Sequence, residues 1–433
     1  MIRTADDTGG RPVSAAPCPD CGAATTGGGV YVSWCAACDW NVDPGAPDEE
    51  PRGRVERVRR RLARRHGEQL FAELREADGG ESAGRGRSGR LATALALAVH
   101  GFTFALLAAG IALVVLGEGF HTVLGAVLVL LAVLLRPRFG SLRRAVAHRP
   151  VLRRADAPHL FALLDEIAGT VGTAGVSTVA VSTEVNASVE SHGVRRRRLL
   201  TVGLGLWETL SPQERIALLG HEFGHYAHGD TRHGLVIASA FETLGTWAYA
   251  LAPRPSESLF DDAANLMTAP FRLAVDGVTH LLDHLTLRQS QRAEYLADGT
   301  AARVGGTEAA ASVMDRLLCA GVLERALERE AVAGRTRRSG RAAGEDGGPT
   351  VWERVARHAA AVPESEYERL RRRGERRGHS VDATHPPTHL RHRMITGRPV
   401  REPLLVLDAA RAALVDAELD AARRTLAREL SKG

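Results

Sequence analysis

The sequence has almost no lysine, so its 56 basic residues are nearly all arginine. Opposed by 51 acidic residues, they leave a formal net charge of only +5 over 433 residues. The arginines concentrate in four runs, at 52–90, 136–154, 195–198 and 335–376. Runs of one charge are usually solvated faces or membrane-surface contacts, and less often nucleic-acid sites. The composition therefore does not favour a nucleic-acid partner.

Cysteine is also scarce. Four of the five cysteines lie within the first forty residues, as two C-x-x-C pairs: Cys18 with Cys21, and Cys35 with Cys38. The fifth, Cys319, stands alone among apolar residues, where a buried core thiol is expected. This distribution favours a metal site in a reducing compartment over a disulfide framework.

Residues 1–45 are expected to fold around a structural metal. The two cysteine pairs are separated by thirteen residues that include a glycine-rich turn. Four thiolates at such a spacing can close a tetrahedral zinc site, which supplies much of the folding free energy of so small a unit. The segment resembles a zinc ribbon, so we predict bound Zn²⁺. A rubredoxin-like iron site is the rival interpretation, and a disulfide pair is the alternative without metal.

Two apolar runs interrupt an otherwise polar chain. Leu91–Leu116 has no ionised side chain over 26 residues, and after a Gly-Glu-Gly turn Phe120–Leu135 adds sixteen more. A helix needs about 20 apolar residues to cross the hydrocarbon core of a bilayer, and about 17 at the least. We therefore predict a transmembrane helical hairpin over 91–135. A hairpin buried in a soluble core is the alternative.

The segments beside this hairpin are basic. Residues 46–90 are expected to contain a basic amphipathic helix, over 54–77, and then a flexible linker. Because arginines flank both outer ends of the hairpin and its turn carries only Glu118, the positive-inside bias places both flanks in the cytoplasm. Residues 1–17 contain no apolar segment, so no secretory signal is expected. We expect a multi-pass protein of the cell membrane whose cysteine unit and everything after residue 136 are cytoplasmic.

A helix that carries candidate catalytic residues is predicted to begin at Pro212. A serine before this proline and a glutamate two residues after it form a capping box. This helix carries H-E-x-x-H at 221–225. Positions four apart face the same side, so His221 and His225 can bind one zinc ion. Zinc lowers the pKa of a bound water from about 15.7 to about 7, and Glu222 can accept the proton of that water as general base.

A second helix is predicted over Gln289–Val304. Its Glu294 can complete a His₂Glu zinc site and leave the fourth position for water. Asp298 shares the face of Glu294 and can accept a hydrogen bond from the other ring nitrogen of a zinc-bound histidine. An exposed acidic face is the usual alternative for such a pair. The presence of the H-E-x-x-H helix favours the metal site.

Three ordered motifs, HEFGHYAHGD, EYLAD and THPPTHLR, closely resemble the HtpX-like and CAAX prenyl protease-like family of membrane zinc metallopeptidases. The resemblance covers roughly residues 145–400. It implies an α+β fold, a mainly helical gluzincin-type domain with a small mixed sheet. It also implies the metal ligands, base and supporting carboxylate already named on the two helices.

The resemblance implies further site residues. Asn186 and Ala187 match an edge-strand pair that is similar to segments pairing with an extended substrate backbone. His385 matches a late His-Pro motif and would donate a hydrogen bond to the oxyanion of the transition state. Arg391 resembles the family arginine, although Arg393 could fill that role instead.

Two segments depart from the family pattern. Many relatives carry further membrane spans between the two zinc helices, whereas 234–252 and 271–287 contain charged residues here. Because charges inside a span cost several kcal/mol each by some estimates, we predict amphipathic helices on the membrane surface and leave a crossing open. Residues 334–350 are charged and glycine-rich and are predicted to be a disordered insertion rather than a mobile lid. A C-terminal helix is expected over 401–433.

The sequence thus predicts a membrane-anchored zinc metalloendopeptidase that hydrolyses peptide bonds. Its substrates are expected to be peptides or proteins, among them membrane proteins, in quality control or stress; this last step depends on family analogy. The alternative is an interaction protein whose zinc ribbon and basic helix bind a protein or a nucleic acid.

Overall fold

The structure is a computed structural model that describes residues 16–45, 54–76, 87–137, 140–193, 195–227, 230–253, 255–256, 258–340, 350–377 and 385–432. Within them the chain forms fifteen helices and four strands. The helices are α1 (Arg54–Glu76), α2 (Arg87–Leu116), α3 (Phe120–Leu134), α4 (Leu142–Ala145), α5 (Pro158–Val171), α6 (Leu204–Trp207), α7 (Pro212–Ala227), α8 (Asp230–Ala250), α9 (Leu259–Gly305), α10 (Thr307–Leu318), α11 (Ala320–Gly340), α12 (Val351–Ala360), α13 (Glu364–Arg377), α14 (Thr388–Thr396) and α15 (Ala409–Leu430). The strands are β1 (Val151–Leu152), β2 (Thr178–Ser182), β3 (Ala187–His192) and β4 (Arg197–Gly203).

The four strands form one mixed sheet in the order β1-β2-β4-β3. β2 and β4 run parallel, while β1 and β3 are antiparallel to their neighbours. The sequence also predicts short strands at 177–182, 186–190 and 198–202, and these correspond to β2, β3 and β4 with ends shifted by one or two residues. The predicted α+β class, mainly helical with a small mixed sheet, is therefore confirmed. β1 was not predicted, because two residues carry no recognisable period.

The main hydrophobic core lies between this sheet and helices α5, α7, α10 and α15. Its largest buried side chains include Phe161 and Ile167 from α5, Trp207 from α6 and Phe223 from α7, which pack with strand residues such as Leu200. The sequence of residues 158–171 predicts an amphipathic helix, and α5 covers these residues. This core fixes the H-E-x-x-H helix between the sheet on one side and α9 on the other.

Small residues let α7 and α9 approach closely. A Cβ added at Gly224 would lie 2.9 Å from the Cα of Ala297, and one at Gly305 would lie 2.7 Å from the Cα of Ala217. Such distances are shorter than van der Waals contact allows, so side chains at these two positions would force the helices apart. The close crossing brings the histidines of α7 within reach of the carboxylates of α9.

Three predicted boundaries differ from the structure. The helices predicted at 271–287 and 289–304 belong to one continuous helix, α9, of 47 residues, because no strong breaker separates the two periods at 288. The disordered insertion predicted at 334–350 is helical as far as Gly340, the end of α11, and 341–349 lie outside the described residues. The helix expected over 401–433 is observed as α15, which begins eight residues later at Ala409.

The apolar hairpin is present as α2 and α3. Of the described helices, the segment Ser88–Leu116 alone is long and apolar enough to cross a bilayer, and 17% of its most apolar window is buried. α3 is apolar but shorter. Ala92 and Ala96 of α2 pack against Leu244 of α8 and Leu282 of α9 in a second hydrophobic core. Length and composition are weak grounds for a membrane span, so anchoring stays a prediction here.

Candidate metal and active site

The H-E-x-x-H helix begins as the sequence predicts. The backbone N–H of Ser211 donates to Oε2 of Glu214 at 2.6 Å, and the backbone N–H of Glu214 lies 3.3 Å from Oγ of Ser211. These reciprocal contacts are a capping box, which satisfies two of the unpaired N–H groups at a helix start. α7 then runs inward, and at His221 and Glu222 less than a tenth of each side chain is exposed.

The two histidines of α7 and Glu294 of α9 form the centre of the site. Nε2 of His221 lies 3.2 Å from Nε2 of His225 and 3.4 Å from Oε2 of Glu294, and Nε2 of His225 lies 3.4 Å from Oε1 of Glu294. One candidate ligand atom from each of the three residues lies within 4.8 Å of the other two. Ligand atoms about 2.0–2.1 Å from a tetrahedral zinc ion lie roughly 3.3 Å from one another, so the three predicted ligands fit that metal.

Asp298 stands directly behind the first histidine. Its Oδ1 lies 3.0 Å from Nδ1 of His221 and its side chain is fully buried. Burial alone would raise the pKa of Asp298, but the charge and hydrogen bonds of Arg391 and the contact with His221 lower it to about 2. The carboxylate is therefore ionised and can hold a proton on Nδ1, which leaves Nε2 free to bind a metal.

Arg391 lies beside both carboxylates of α9. Its Nε and Nη2 donate to the two oxygens of Asp298 at 2.8 and 2.7 Å, and Nη2 lies 3.2 Å from Oε2 of Glu294. Burial opposes ionisation of Glu294, but Arg391 and His221 hold the pKa of this carboxyl well below its usual range. The alternative arginine, Arg393, lies outside the site, 3.6 Å from Glu375.

Glu222 is the carboxyl whose pKa is shifted in the opposite direction. It is buried on the same helix as the two histidines, and burial raises the pKa of its carboxyl above the ordinary value. A carboxylate with a raised pKa is a better proton acceptor than one in water. The site thus contains two ionised carboxylates, those of Glu294 and Asp298, and one more basic carboxyl, that of Glu222.

A cleft of about 460 Å³ opens above these residues. Asn186 and Ala187, at the start of the edge strand β3, line one wall, and His385 and Arg391 line another. Nε2 of His385 lies 3.3 Å from Oε1 of Glu294, with 23% of the imidazole exposed. Apart from Asp298, which lies behind His221, the residues predicted for the catalytic centre therefore line one cleft. His228, a histidine after the motif that is not expected to bind metal, lies outside the described residues.

Tyr226 was not anticipated as part of this arrangement. Its hydroxyl lies 2.9 Å from the carbonyl oxygen of Glu190 in β3 and 3.3 Å from that of Leu199 in β4. Through these contacts the residue next to His225 ties the metal-binding helix to the edge strand. The sequence indicates this role of Tyr226 only through its position next to the motif. Its partners are backbone carbonyls, and the sequence does not show which carbonyls a hydroxyl will contact.

The four N-terminal cysteines form a second cluster. Sγ of Cys18 lies 3.6 Å from that of Cys38, and Sγ of Cys21 lies 3.6 Å from that of Cys35. A disulfide needs about 2.05 Å, whereas sulfurs about 2.3 Å from a tetrahedral zinc lie roughly 3.8 Å apart. The cluster fits a metal better than two disulfides. Cys319, in contrast, is a buried free thiol in a separate hydrophobic cluster.

The cysteine unit packs on the arginine-rich helix α13. Arg372 donates to the carbonyl of Ala36 and to Oδ1 of Asp39, both at 2.7 Å, and Arg376 donates to Oδ2 of Asp39 at 3.1 Å. Arg369 is buried and donates to the carbonyl of Val42 at 2.7 Å. The expectation that the charge run at 335–376 is mainly a solvated face is therefore wrong for α13, because acidic and carbonyl oxygens of this chain bind these arginines.

Comparison with known proteins gives two matches. The model of peptidase family M48 matches residues 159–398, which is more than half of the chain. The chain is also 27% identical, over 199 residues, to a protein named protease HtpX homolog from Methanothermobacter thermautotrophicus, covering 44% of this chain and 69% of that protein. No solved structure matches the chain. The match to the family contains every residue of the cleft from Asn186 to Arg391, and it confirms the HtpX-like resemblance.

Proposed function

Because the chain belongs to peptidase family M48, we propose that it is a zinc metalloendopeptidase whose catalytic metal is held by His221, His225 and Glu294. The observation that carries this proposal is the convergence of the two imidazole Nε2 atoms and the Glu294 carboxylate, with contacts of 3.2–3.4 Å between them. Bound there, zinc supplies a Lewis acid for the scissile carbonyl and a water nucleophile of lowered pKa.

Glu222 acts as the general base. Its burial raises the pKa of the carboxyl, so the group takes a proton from the nucleophile readily and returns it to the leaving amine. It lies in the cleft beside the histidines and does not share the ion pair with Arg391 that keeps Asp298 ionised. This difference in environment supports a separate role for each carboxyl.

His385 and Arg391 have different roles in this proposal. His385 borders the cleft and donates a hydrogen bond to the oxyanion that forms as the carbonyl is attacked. Arg391 is almost completely buried and binds Asp298 with two hydrogen bonds. We therefore propose that Arg391 holds the carboxylates of α9 in place. Its side chain also lines the cleft, where it can contact the substrate.

The substrate is an extended peptide that adds to the edge strand β3. Within the described chain β3 pairs with β4 on one side, and Asn186 and Ala187 line the cleft at its start. Pairing of main-chain groups along a sheet edge binds a peptide with little dependence on its sequence. This mode suits an endopeptidase that acts on many proteins.

The hairpin α2–α3 is proposed to anchor the chain in the cell membrane, with the cysteine unit and the peptidase domain in the cytoplasm. Exposed apolar side chains along both helices, such as Phe104, Leu116 and Phe120, support this. The cleft would then lie near the inner bilayer surface. Membrane proteins and damaged proteins in quality control are the substrates we propose.

The cysteine cluster is proposed to hold a second, structural zinc ion. The alternative function, in which the cysteine unit and α13 bind a nucleic acid, is not supported, because Arg369, Arg372 and Arg376 are engaged within the chain. Nucleic-acid binding through arginines needs those side chains to reach phosphates. An iron ion in the cluster remains the rival metal.

The first test combines metal analysis with cleavage of casein. We expect two zinc ions per chain in the wild type, one in Glu294→Gln, and two in a Glu222→Gln variant that no longer cleaves casein. Equal zinc content in wild type and Glu294→Gln would overturn the ligand assignment. Cleavage that survives Glu222→Gln would overturn the role of the base.

A further inference from the structure

The N-terminal part of the chain contacts the segment that carries His385. α1 lies against α9, where Nε2 of Gln291 donates to the carbonyl of Ala63 at 2.9 Å and the hydroxyl of Tyr295 donates to that of Gly67 at 3.1 Å. Gln291 and Tyr295 are buried and flank the ligand Glu294 on the same helix. α1 is thus bound to the back of the helix that bears a metal ligand.

Gly67 of α1 touches the two prolines that follow His385. A Cβ added at Gly67 would lie 2.8 Å from Cδ of Pro387 and 3.6 Å from Cα of Pro386. No methyl group fits at the first distance, so a glycine is needed for this approach. Because proline fixes its own φ angle, a push on Pro387 is passed along the backbone rather than absorbed locally.

The cysteine unit packs on α13, the described helix that precedes His385 in the chain. α13 ends at Arg377, and residues 378–384 lie outside the described residues. Besides the arginine contacts described above, Nε1 of Trp34 donates to the carbonyl of Ser365 at 3.2 Å, and the hydroxyl of Tyr31 donates to that of Ala361 at 3.1 Å. α1 therefore contacts the prolines that follow His385, and the cysteine unit contacts the helix that precedes it.

We propose that residues 16–45 and 54–76, together the N-terminal clamp, position His385 over the metal site, with Gly67 and Asp39 as positioning residues. This rests on the proposed role of His385. The clamp precedes the region that matches the peptidase family, 159–398, so it is an addition of this chain to the catalytic domain. Binding of metal by the four cysteines shapes the surface that holds α13, and in this way metal loss there weakens catalysis without touching the catalytic ligands.

The experiment is a double-mutant cycle on kcat, measured with a quenched fluorescent peptide derived from a casein cleavage site. Gly67→Ala should lower kcat at least tenfold with KM and catalytic zinc unchanged, and His385→Ala should lower it at least as much. If the clamp acts through His385, the double variant is no slower than His385→Ala alone, whereas a general structural defect makes the two losses multiply. Gly169→Ala is the control, since a Cβ at this exposed helical glycine meets nothing within 4 Å.

A second variant covers the possibility that Gly67→Ala does not fold. Asp39 has φ near 60°, which asparagine also tolerates, so Asp39→Asn removes the ion pairs to Arg372 and Arg376 while keeping the turn. We expect Asp39→Asn to lower kcat several-fold, and we expect this loss to be absent on the His385→Ala background. The control Asp165→Asn, which removes a surface ion pair of α5, should leave kcat unchanged.

The outcomes separate the two proposals. Wild-type kcat in both Gly67→Ala and Asp39→Asn, beside a slow His385→Ala, overturns the clamp and leaves the proposed function intact. Losses that multiply in the double variants also overturn it. Wild-type kcat in His385→Ala would remove the role of His385 itself, and the clamp with it.

Discussion

Arg391 donates two hydrogen bonds to Asp298, and Asp298 in turn lies 3.0 Å from Nδ1 of His221, a proposed metal ligand. The three residues come from α14, α9 and α7, so one buried network of hydrogen-bonded side chains links three helices at the back of the site. Its polar groups are satisfied by one another, which is the condition under which a buried ionic network is tolerated. The network fixes the ring of His221 before any metal binds.

Asp298→Asn should weaken metal binding. The amide has no charge to pair with Arg391 and holds the Nδ1 proton of His221 less strongly, and loss of such a partner typically costs 10–100-fold in metal affinity or activity. The affinity is measured by zinc competition with a chromophoric chelator. Arg393→Gln, at an exposed arginine of the same helix as Arg391, is the control and should bind zinc like the wild type. Unchanged affinity in Asp298→Asn would contradict the network.

Much of this centre follows from sequence because its signals are local. The capping box predicts where α7 begins, and the helical period places His221 and His225 on one face. Arg391 and Tyr226 are different, since their partners are distant in the chain. A resemblance of motifs indicated Arg391 but left Arg393 open, and only the packing of α14 on α9 decides which of the two is buried.

The wrong predictions have a common physical origin. The arginines of α13 look like a solvated face when read alone, because sequence does not show that Asp39 and the carbonyls of the cysteine unit lie opposite them. α9 likewise looks like two helices, since its first half is amphipathic toward α2 and α8 and its second half toward α7. A change of partner along one helix changes the period that sequence displays.

Gly224→Ala should reduce zinc affinity at least tenfold. The added methyl would lie 2.9 Å from the Cα of Ala297, so α7 and α9 must separate and the oxygen of Glu294 moves away from the two histidines. Zinc content after dialysis against a weak chelator measures the effect. Gly277→Ala, at an exposed glycine of α9, is the matched control, because a Cβ there meets nothing within 4 Å. A fully loaded Gly224→Ala protein would show that the close crossing is not needed.

The five thiols should react in two classes. Burial raises the pKa of Cys319 to about 12, so at pH 8 this thiol stays protonated and is a poor nucleophile. With metal bound, we expect almost no rapid reaction with a thiol reagent. After metal removal by chelation, four thiols should react, and Cys319 should react only in denaturant.

A different number of reactive thiols would indicate different chemistry in the cysteine unit. Disulfides would leave no reactive thiol after chelation, and a fast fifth thiol in the native protein would contradict the burial of Cys319. Metal analysis before chelation separates zinc from iron. Cys319→Ala serves as the control, since it should remove the slow class and leave the four cluster thiols unchanged.

The membrane anchor can be tested with one charged substitution at an exposed position. Phe104 lies near the middle of α2 with 61% of its surface exposed. In water, an arginine at such a site is nearly neutral for stability. Inside a bilayer, by contrast, it costs about 2.5–3.5 kcal/mol on insertion scales.

If α2 spans the membrane, Phe104→Arg should lower the share of protein that fractionates with membranes and resists carbonate extraction. Leu414→Arg, at an exposed leucine of α15 outside the hairpin, should leave that share unchanged. Equal membrane fractions for Phe104→Arg and wild type would favour a hairpin that packs outside the hydrocarbon core, and the cleft would then have no fixed distance from the bilayer.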